Sequence, residues 1–153
     1  MEVRTETLEE EATHVTDEAR MVLPGVQAIL GFQLIAVFNQ RFEDLSTIQQ
    51  YVHLGAFLMI ALAMGLLMAP AAYHRLVERG QLSRRFVSVA STLLCAAMVP
   101  LILGVALDAY LICFLVSHDD AVSVIVSLAG GAALSGLWFV LPYLIGRAQR
   151  TGE

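Results

Sequence analysis

Asp108 is the residue of this sequence that could most readily carry chemistry, because it is an acid inside an apolar run. The run reads LGVALDAYLICFLV. An aspartate at the centre of a membrane helix costs about 2.5–3.5 kcal/mol on insertion scales, so it needs a polar partner or a water path. Two interpretations stay open. Asp108 is a proton- or cation-binding carboxylate of a small transporter, or it is an interfacial acid that pairs with Arg41 or His53 at the outer rim.

Two other polar side chains join Asp108 in this candidate proton or cation site. His53 opens the second apolar segment on the outer side, and Gln33 lies within the first. A buried amide in lipid usually hydrogen-bonds a neighbouring helix and fixes its register. A hydrated polar path shared with Asp108 is the alternative role for Gln33.

Further acids and histidines would gather at the outer ends of the segments. Carboxylates and imidazoles can bind divalent cations, but no His-x-x-x-His or Asp-x-Asp spacing is present. We therefore interpret them as a solvated acidic rim and predict no metal site. The residues are Glu43, Asp44, His118, Asp119 and Asp120.

No other motif indicates catalysis or a cofactor. The sequence has no nucleophile–base pair, P-loop, GxGxxG or haem motif. Cys95 and Cys113 lie in one apolar run and have the character of small hydrophobic core residues. All nine basic residues are arginines and they form no basic tract. We expect a protein that is not an enzyme, holds no cofactor and binds no nucleic acid.

The composition indicates which elements must position these side chains. Of the 153 residues, 58% are hydrophobic and 15% charged, against roughly 45–50% and about 25% in soluble domains. Four apolar segments predict an all-α integral membrane protein, a four-transmembrane-helix antiparallel bundle over residues 21–146. We place its helices at about 21–40, 47–74, 86–116 and 121–146. Pro24 then falls in the first turn of its helix, where a missing N–H costs little.

The bundle is flanked by an acidic segment, residues 1–20, and by a short tail, residues 147–153. Residues 1–20 hold seven acids and no apolar core behind basic residues, so we expect no secretory signal peptide. Thr7 and Glu10 fit a capping box. A surface helix and a frayed tail are both compatible with this segment.

The arginines predict the orientation. Eight of the nine share one side of the bundle, whereas Arg41 stands alone on the other. The positive-inside rule then places both termini in the cytoplasm. The eight are Arg4, Arg20, Arg75, Arg79, Arg84, Arg85, Arg147 and Arg150.

Small residues at i, i+4 spacing predict where helices pack closely. Such stripes allow two backbones to approach each other in lipid. They could serve contacts within the bundle, which we favour, or contacts between copies. The residues are Ala61, Gly65 and Ala69 in the second helix and Gly131, Ser135, Ala132 and Gly136 in the fourth.

Three stretches resemble a family of small bacterial four-helix membrane proteins, catalogued as a domain of unknown function. They are GVQAILGFQL at 25–34, FNQRFEDL at 38–45 and MAPAAYHR at 68–75. The resemblance covers roughly residues 18–146 and implies a four-helix membrane fold. Some members carry an automatic sodium:proton antiporter label. Known antiporters of that kind are much larger and use broken helices near the bilayer midplane.

Two functions follow as expectations. The first is a non-enzymatic module of the bacterial cytoplasmic membrane, in contact with the bilayer, that self-associates or accompanies another membrane protein. The alternative is a small proton- or cation-coupled transporter that uses Asp108 as its titrating carboxylate and works as an oligomer.

Overall fold

The computed structural model describes residues 7–78 and 82–151, and this part of the chain is almost entirely helical and contains no strand. The elements in chain order are α1 Leu8–Ala36, α2 Gln40–Glu43, α3 Thr47–Tyr73, α4 Arg84–Ser117, α5 Asp120–Ser135 and α6 Leu141–Thr151. Two π-helical turns, His74–Glu78 and Gly136–Val140, follow α3 and α5. The structure therefore has four helices long and apolar enough to cross a membrane, which confirms the predicted fold class. Arg4 and Arg79 lie outside the described residues.

The first membrane helix differs from its predicted span of 21–40. It begins at Leu8, where the side chain of Thr7 accepts a hydrogen bond from the backbone N–H of Glu10 and the capping box is complete. Three glutamates in the first turn favour this start, because they face the positive end of the helix dipole. Pro24 thus lies in the helix interior and not in the first turn.

The same helix ends four residues sooner than predicted, at Ala36. Asn39 leaves the helical conformation and its side chain accepts from the N–H of Arg41 at 3.0 Å, which starts α2. Asparagine favours such caps because its side chain competes for backbone hydrogen bonds. This turn carries Phe42 back to the start of α3, where its ring packs against His53.

The second and third spans follow the prediction closely. A capping box of Ser46 and Gln49 starts α3, and Ser83 caps α4. The chain beyond Pro70 continues into the first π-helical turn, as expected after a residue that removes a backbone donor. Pro100 lies within α4 without ending it.

A tight turn joins α4 to the fourth span. His118 adopts a left-handed conformation (φ 54°), and Asp119 caps α5 by accepting from the N–H groups of Ala121 and Val122. The Tyr110 hydroxyl donates to Asp120 across this turn at 2.7 Å. The helical chain extends beyond the predicted end at Gly146, through α6 to Thr151.

The core lies between α3 and α4, with α1 packed against both and α5 against α4. Ala56, Ile60 and Ala63 of α3 are completely buried there. They face small residues of α4, among them Gly104, whose Cα lies so near that an added Cβ would stand 3.2 Å from the carbonyl oxygen of Ala56. The helices α3 and α4 therefore approach each other closely at Gly104, a residue outside both predicted stripes.

Only some residues of the predicted packing stripes face a neighbouring helix. A Cβ on Gly131 would meet Ala106 of α4 at 3.5 Å, and Ser135 is partly buried. A Cβ added to Gly65 or Gly136 would meet no atom within 4 Å, and Gly65 is exposed. Within one chain, the stripe formed by Ala61, Gly65 and Ala69 is therefore not the packing face. The packing face of this helix runs along Ile60, Ala63 and Leu67 instead.

Candidate functional site

Asp108 lies in the third span, nine residues before the end of α4. At about 1.5 Å per residue this puts it roughly 14 Å from the turn that joins α4 to α5. Its side chain is partly buried between α4 and α1. An acid at this depth is held by a specific partner when its environment is apolar.

The partner of Asp108 is Gln33 of α1, whose Nε2 donates to Asp108 Oδ2 at 2.8 Å. Gln33 is 4% exposed and Asp108 is partly buried, so this hydrogen bond is partly shielded from solvent. An ionised carboxylate only accepts hydrogen bonds, and this fixes the amide with its NH₂ group toward Asp108. The interhelical contact predicted for Gln33 and the site predicted around Asp108 therefore coincide.

The amide oxygen of Gln33 has no partner. Oε1 is buried and accepts no hydrogen bond from the described part of the chain. A buried polar atom left in this state costs about 1–3 kcal/mol. Gln33 thus carries an unused acceptor next to the carboxylate.

His53 reaches the same place from α3. Its Nε2 lies 3.0 Å from the backbone oxygen of Gln33, and because a carbonyl only accepts, Nε2 must carry the proton. Gln33 belongs to the last turn of α1, whose carbonyls lack partners within the helix. The ring of Phe42 packs edge-on to His53 with centroids 5.2 Å apart. His53 therefore holds the end of α1. In the described part of the chain it forms no hydrogen bond with the Asp108 carboxylate.

Arg41, the other predicted partner, does not pair with Asp108. No ion pair joins the two side chains in the described residues, although both line the same cleft. The backbone of Arg41 is held by the Asn39 cap. Neither partner named from sequence, Arg41 or His53, forms an ion pair or hydrogen bond with Asp108 in the described residues, and the amide of Gln33 is the partner instead.

A cleft of about 400 Å³ opens beside the carboxylate. Its polar lining includes Asp108, Gln33 and His53, together with Asn39 and Arg41 from the segment that follows α1. The remaining walls are apolar, and two of their side chains, Phe32 and Ile112, are 73% and 63% exposed. The apolar lining consists of Ile29, Phe32, Ala36, Phe42, Leu45, Leu111, Ile112 and Leu115.

The acids predicted to form a rim do not come together at one site in the described residues. Asp119 caps α5, Asp120 accepts from Tyr110, and Asp44 follows α2. Within residues 7–78 and 82–151, no three His, Cys, Asp or Glu side chains lie close enough to hold a metal ion. Both cysteines are free thiols, Cys95 exposed and Cys113 partly buried.

Sequence reasoning missed Ser127, which contributes to the α4–α5 contact. Its hydroxyl donates to the backbone oxygen of Ala106 at 2.7 Å. Ser123, Ser127 and Gly131 are spaced by four residues, which is the signal that could have identified this face. The hydrogen bond ties the fourth span to the helix that carries Asp108.

The chain belongs to a family of unknown function, DUF6328, whose sequence profile matches residues 1–142. The match includes all the residues that line the cleft. Searches of curated proteins and of solved structures found no match to this chain.

Proposed function

For this member of a family of unknown function, we propose a non-enzymatic membrane protein that binds a proton or cation at Asp108 and acts as a small coupled transporter. The observation that supports it is the hydrogen bond from Gln33 to Asp108. A carboxylate held by a neutral amide keeps its charge uncompensated, whereas an arginine would neutralise it. Ionisable residues in such positions commonly serve ion or proton pathways.

Transport also needs a path from Asp108 to the other side of the membrane. Below Asp108 the contact between α3 and α4 is filled by Ile60, Ala63 and Leu67. A path within one chain is therefore blocked at this level in the described structure. We infer that protomers combine so that the path runs between them.

A flux measurement tests the transport proposal. Protein in liposomes, under an imposed sodium or proton gradient, is expected to change the signal of an enclosed pH-sensitive dye. Asp108→Asn removes the charge at constant size and should abolish this signal. Asp120→Asn is the matched control, since Asp120 lies outside the cleft at the α4–α5 turn, and it should retain flux. Absence of flux in the natural protein, or equal flux in Asp108→Asn, would count against transport.

Self-association is a second candidate function, favoured by the fourth span. None of its most apolar eighteen-residue stretch is buried, against 28% for the second and third spans. A Cβ added to Gly130 or Gly136 of this span would meet nothing within 4 Å, so both positions border open space. Small residues on an open helix face permit close packing of another helix in lipid. We commit to a second copy of this chain as the occupant, with an unrelated membrane protein as the other outcome.

Oligomer measurements in detergent and in nanodiscs test this second function. Gly136→Leu is expected to raise the dissociation constant at least about tenfold, equivalent to roughly 1.4 kcal/mol, by holding the two helices apart. Gly25→Leu serves as the control, because Gly25 is also in open space but lies on α1. A monomeric natural protein, or equal effects of both substitutions, would contradict association through the fourth span.

We further infer that the protein lies in the bacterial inner membrane with both ends in the cytoplasm. Arg20, Arg75, Arg84 and Arg85 support this orientation, since they flank the same ends of three spans. In a background of Cys95→Ser and Cys113→Ser, a membrane-impermeant maleimide should label Ser117→Cys in intact cells but label Gln149→Cys only after lysis. The reversed pattern would invert the orientation.

A further inference from the structure

We infer that the cleft beside Asp108 binds a lipophilic ammonium, an organic cation with N–H donors and an apolar body. This inference rests on the proposed role of Asp108 and deepens it by naming the ligand class. Binding of such a ligand does not itself require transport, so the two claims can fail separately.

The polar end of the cleft offers two acceptors to a donor-bearing cation. Asp108 uses Oδ2 for Gln33, and its Oδ1 accepts no hydrogen bond from the described residues. Gln33 Oε1 is the second acceptor, buried and without a partner in the described part of the chain. An ammonium has up to three donors and a positive charge, and it can satisfy both oxygens when the amide shifts slightly toward the cleft. A neutral or fully methylated ligand lacks one of these two properties.

The walls suit the remainder of such a ligand. Eight of the thirteen lining side chains are apolar, and the volume of about 400 Å³ falls in the range of small-molecule sites. Phe32 and Phe42 add aromatic rings that can face a cation. The exposed Phe32 and Ile112 mark the mouth, which in a bilayer opens toward the acyl chains. An amphiphile dissolved in the outer leaflet would enter from this side.

A bare metal ion fits less well. Calcium takes six to eight oxygen ligands and magnesium demands six. Side-chain oxygens of the cleft are those of Asp108, Gln33 and Asn39, and the last already caps α2. The apolar walls would leave most of the coordination sphere to water. The oxygen supply therefore favours an organic cation.

Arg41 is the charged side chain that opposes this ligand. It lines the outer side of the cleft without pairing to Asp108. Its positive charge lowers the attraction for any cation, so affinity must come from the two acceptors and from the apolar body together. This requirement selects against small hydrophilic cations.

Calorimetric titration of the full chain in nanodiscs tests the inference on the natural protein. The probes are hexylammonium, its trimethylated analogue, hexanol and sodium ion. We expect hexylammonium to bind about tenfold or more tightly than the trimethylated analogue, because a lost hydrogen bond to a buried acceptor is worth about that factor. Hexanol and sodium should bind more weakly still. Equal binding of hexylammonium and hexanol would show that the cleft is an apolar groove for lipid chains. Binding of sodium that is tighter than that of hexylammonium would show a metal site. Either result would overturn the inference.

Two variants separate the acceptors. Asp108→Asn should weaken hexylammonium binding at least about tenfold, since the charge is lost, while Asp120→Asn should leave it unchanged. Gln33→Met should weaken hexylammonium but not the trimethylated analogue, which cannot donate to Oε1. Equal effects of Asp108→Asn and Asp120→Asn would overturn the inference. Proton or sodium flux without ammonium binding would refute this ligand class alone, and ammonium binding without any flux would refute transport alone.

Discussion

Gly104→Ala is expected to destabilise the protein by roughly 1–3 kcal/mol, the usual cost of forcing an extra methyl group into a packed core. The new Cβ would stand 2.5 Å from Cδ1 and 2.7 Å from Cγ1 of Ile60, and 3.2 Å from the carbonyl oxygen of Ala56. Ile60 is completely buried, so any shift of its side chain disturbs the packed core around it. The carbonyl oxygen of Ala56 is backbone, so the added methyl group also presses on the contact between α3 and α4. Unfolding in mixed micelles with increasing sodium dodecyl sulfate measures the change.

Gly65→Ala and Gly130→Ala are the matched controls for this prediction. Both glycines lie within apolar helices, and an added Cβ would meet no atom within 4 Å. Alanine is the better helix former by roughly 0.5–1 kcal/mol, so these variants should be neutral or slightly more stable. Ile60→Val, which removes Cδ1, should recover part of the loss in Gly104→Ala. If Gly104→Ala were as stable as Gly65→Ala, the close approach of α3 and α4 would be refuted.

The sequence predicted the four spans because hydrophobicity and length depend on composition alone. The caps at Thr7, Ser46 and Asp119 were also predictable, since their hydrogen bonds join residues close in sequence. The end of the first helix was not. Its apolar run continues past Ala36, and the turn depends on Asn39 preferring a cap to a place inside the helix.

Packing faces were harder to predict than spans. Most residues of a membrane helix are apolar, so hydrophobicity does not distinguish the face toward lipid from the face toward a neighbour. Spacing by four therefore selected Ala61, Gly65 and Ala69, although the buried face includes Ile60 and Ala63. Gly104 escaped notice because it is a single glycine whose partner, Ile60, is large.

The members of the candidate site were predictable, but their connections were not. Asp108, Gln33 and His53 stand out as polar residues in apolar segments, and the structure brings all three to one end of the bundle. Which partner Asp108 takes depends on the rotation of α1 against α4, which no local pattern encodes. Charge alone favoured Arg41, whereas the turn at Asn39 fixes its backbone at the outer end.

The second large effect is expected from removing Gln33 alone. Gln33→Met leaves the partly buried carboxylate of Asp108 without its donor, which should cost about 1.5–3 kcal/mol, the range for hydrogen bonds to charged groups. Asp108→Leu should be neutral or stabilising, because it removes a charge from the apolar span. In the Asp108→Leu background, Gln33→Met should cost little, since no buried charge remains that could lose its hydrogen-bond donor.

A double-mutant cycle of Gln33→Met and Asp108→Leu measures this coupling in the same micelle titration. We expect a coupling energy of about 1–2 kcal/mol, at the upper end of values for hydrogen bonds between membrane helices, because the acceptor is ionised. Ser127→Ala with Asp108→Leu is the control pair, as Ser127 bonds the backbone of Ala106 and not the carboxylate. Its coupling should be near zero. A coupling near zero for Gln33 and Asp108 would indicate that the carboxylate is protonated in the membrane. The charge that the proposed cation site requires would then be absent.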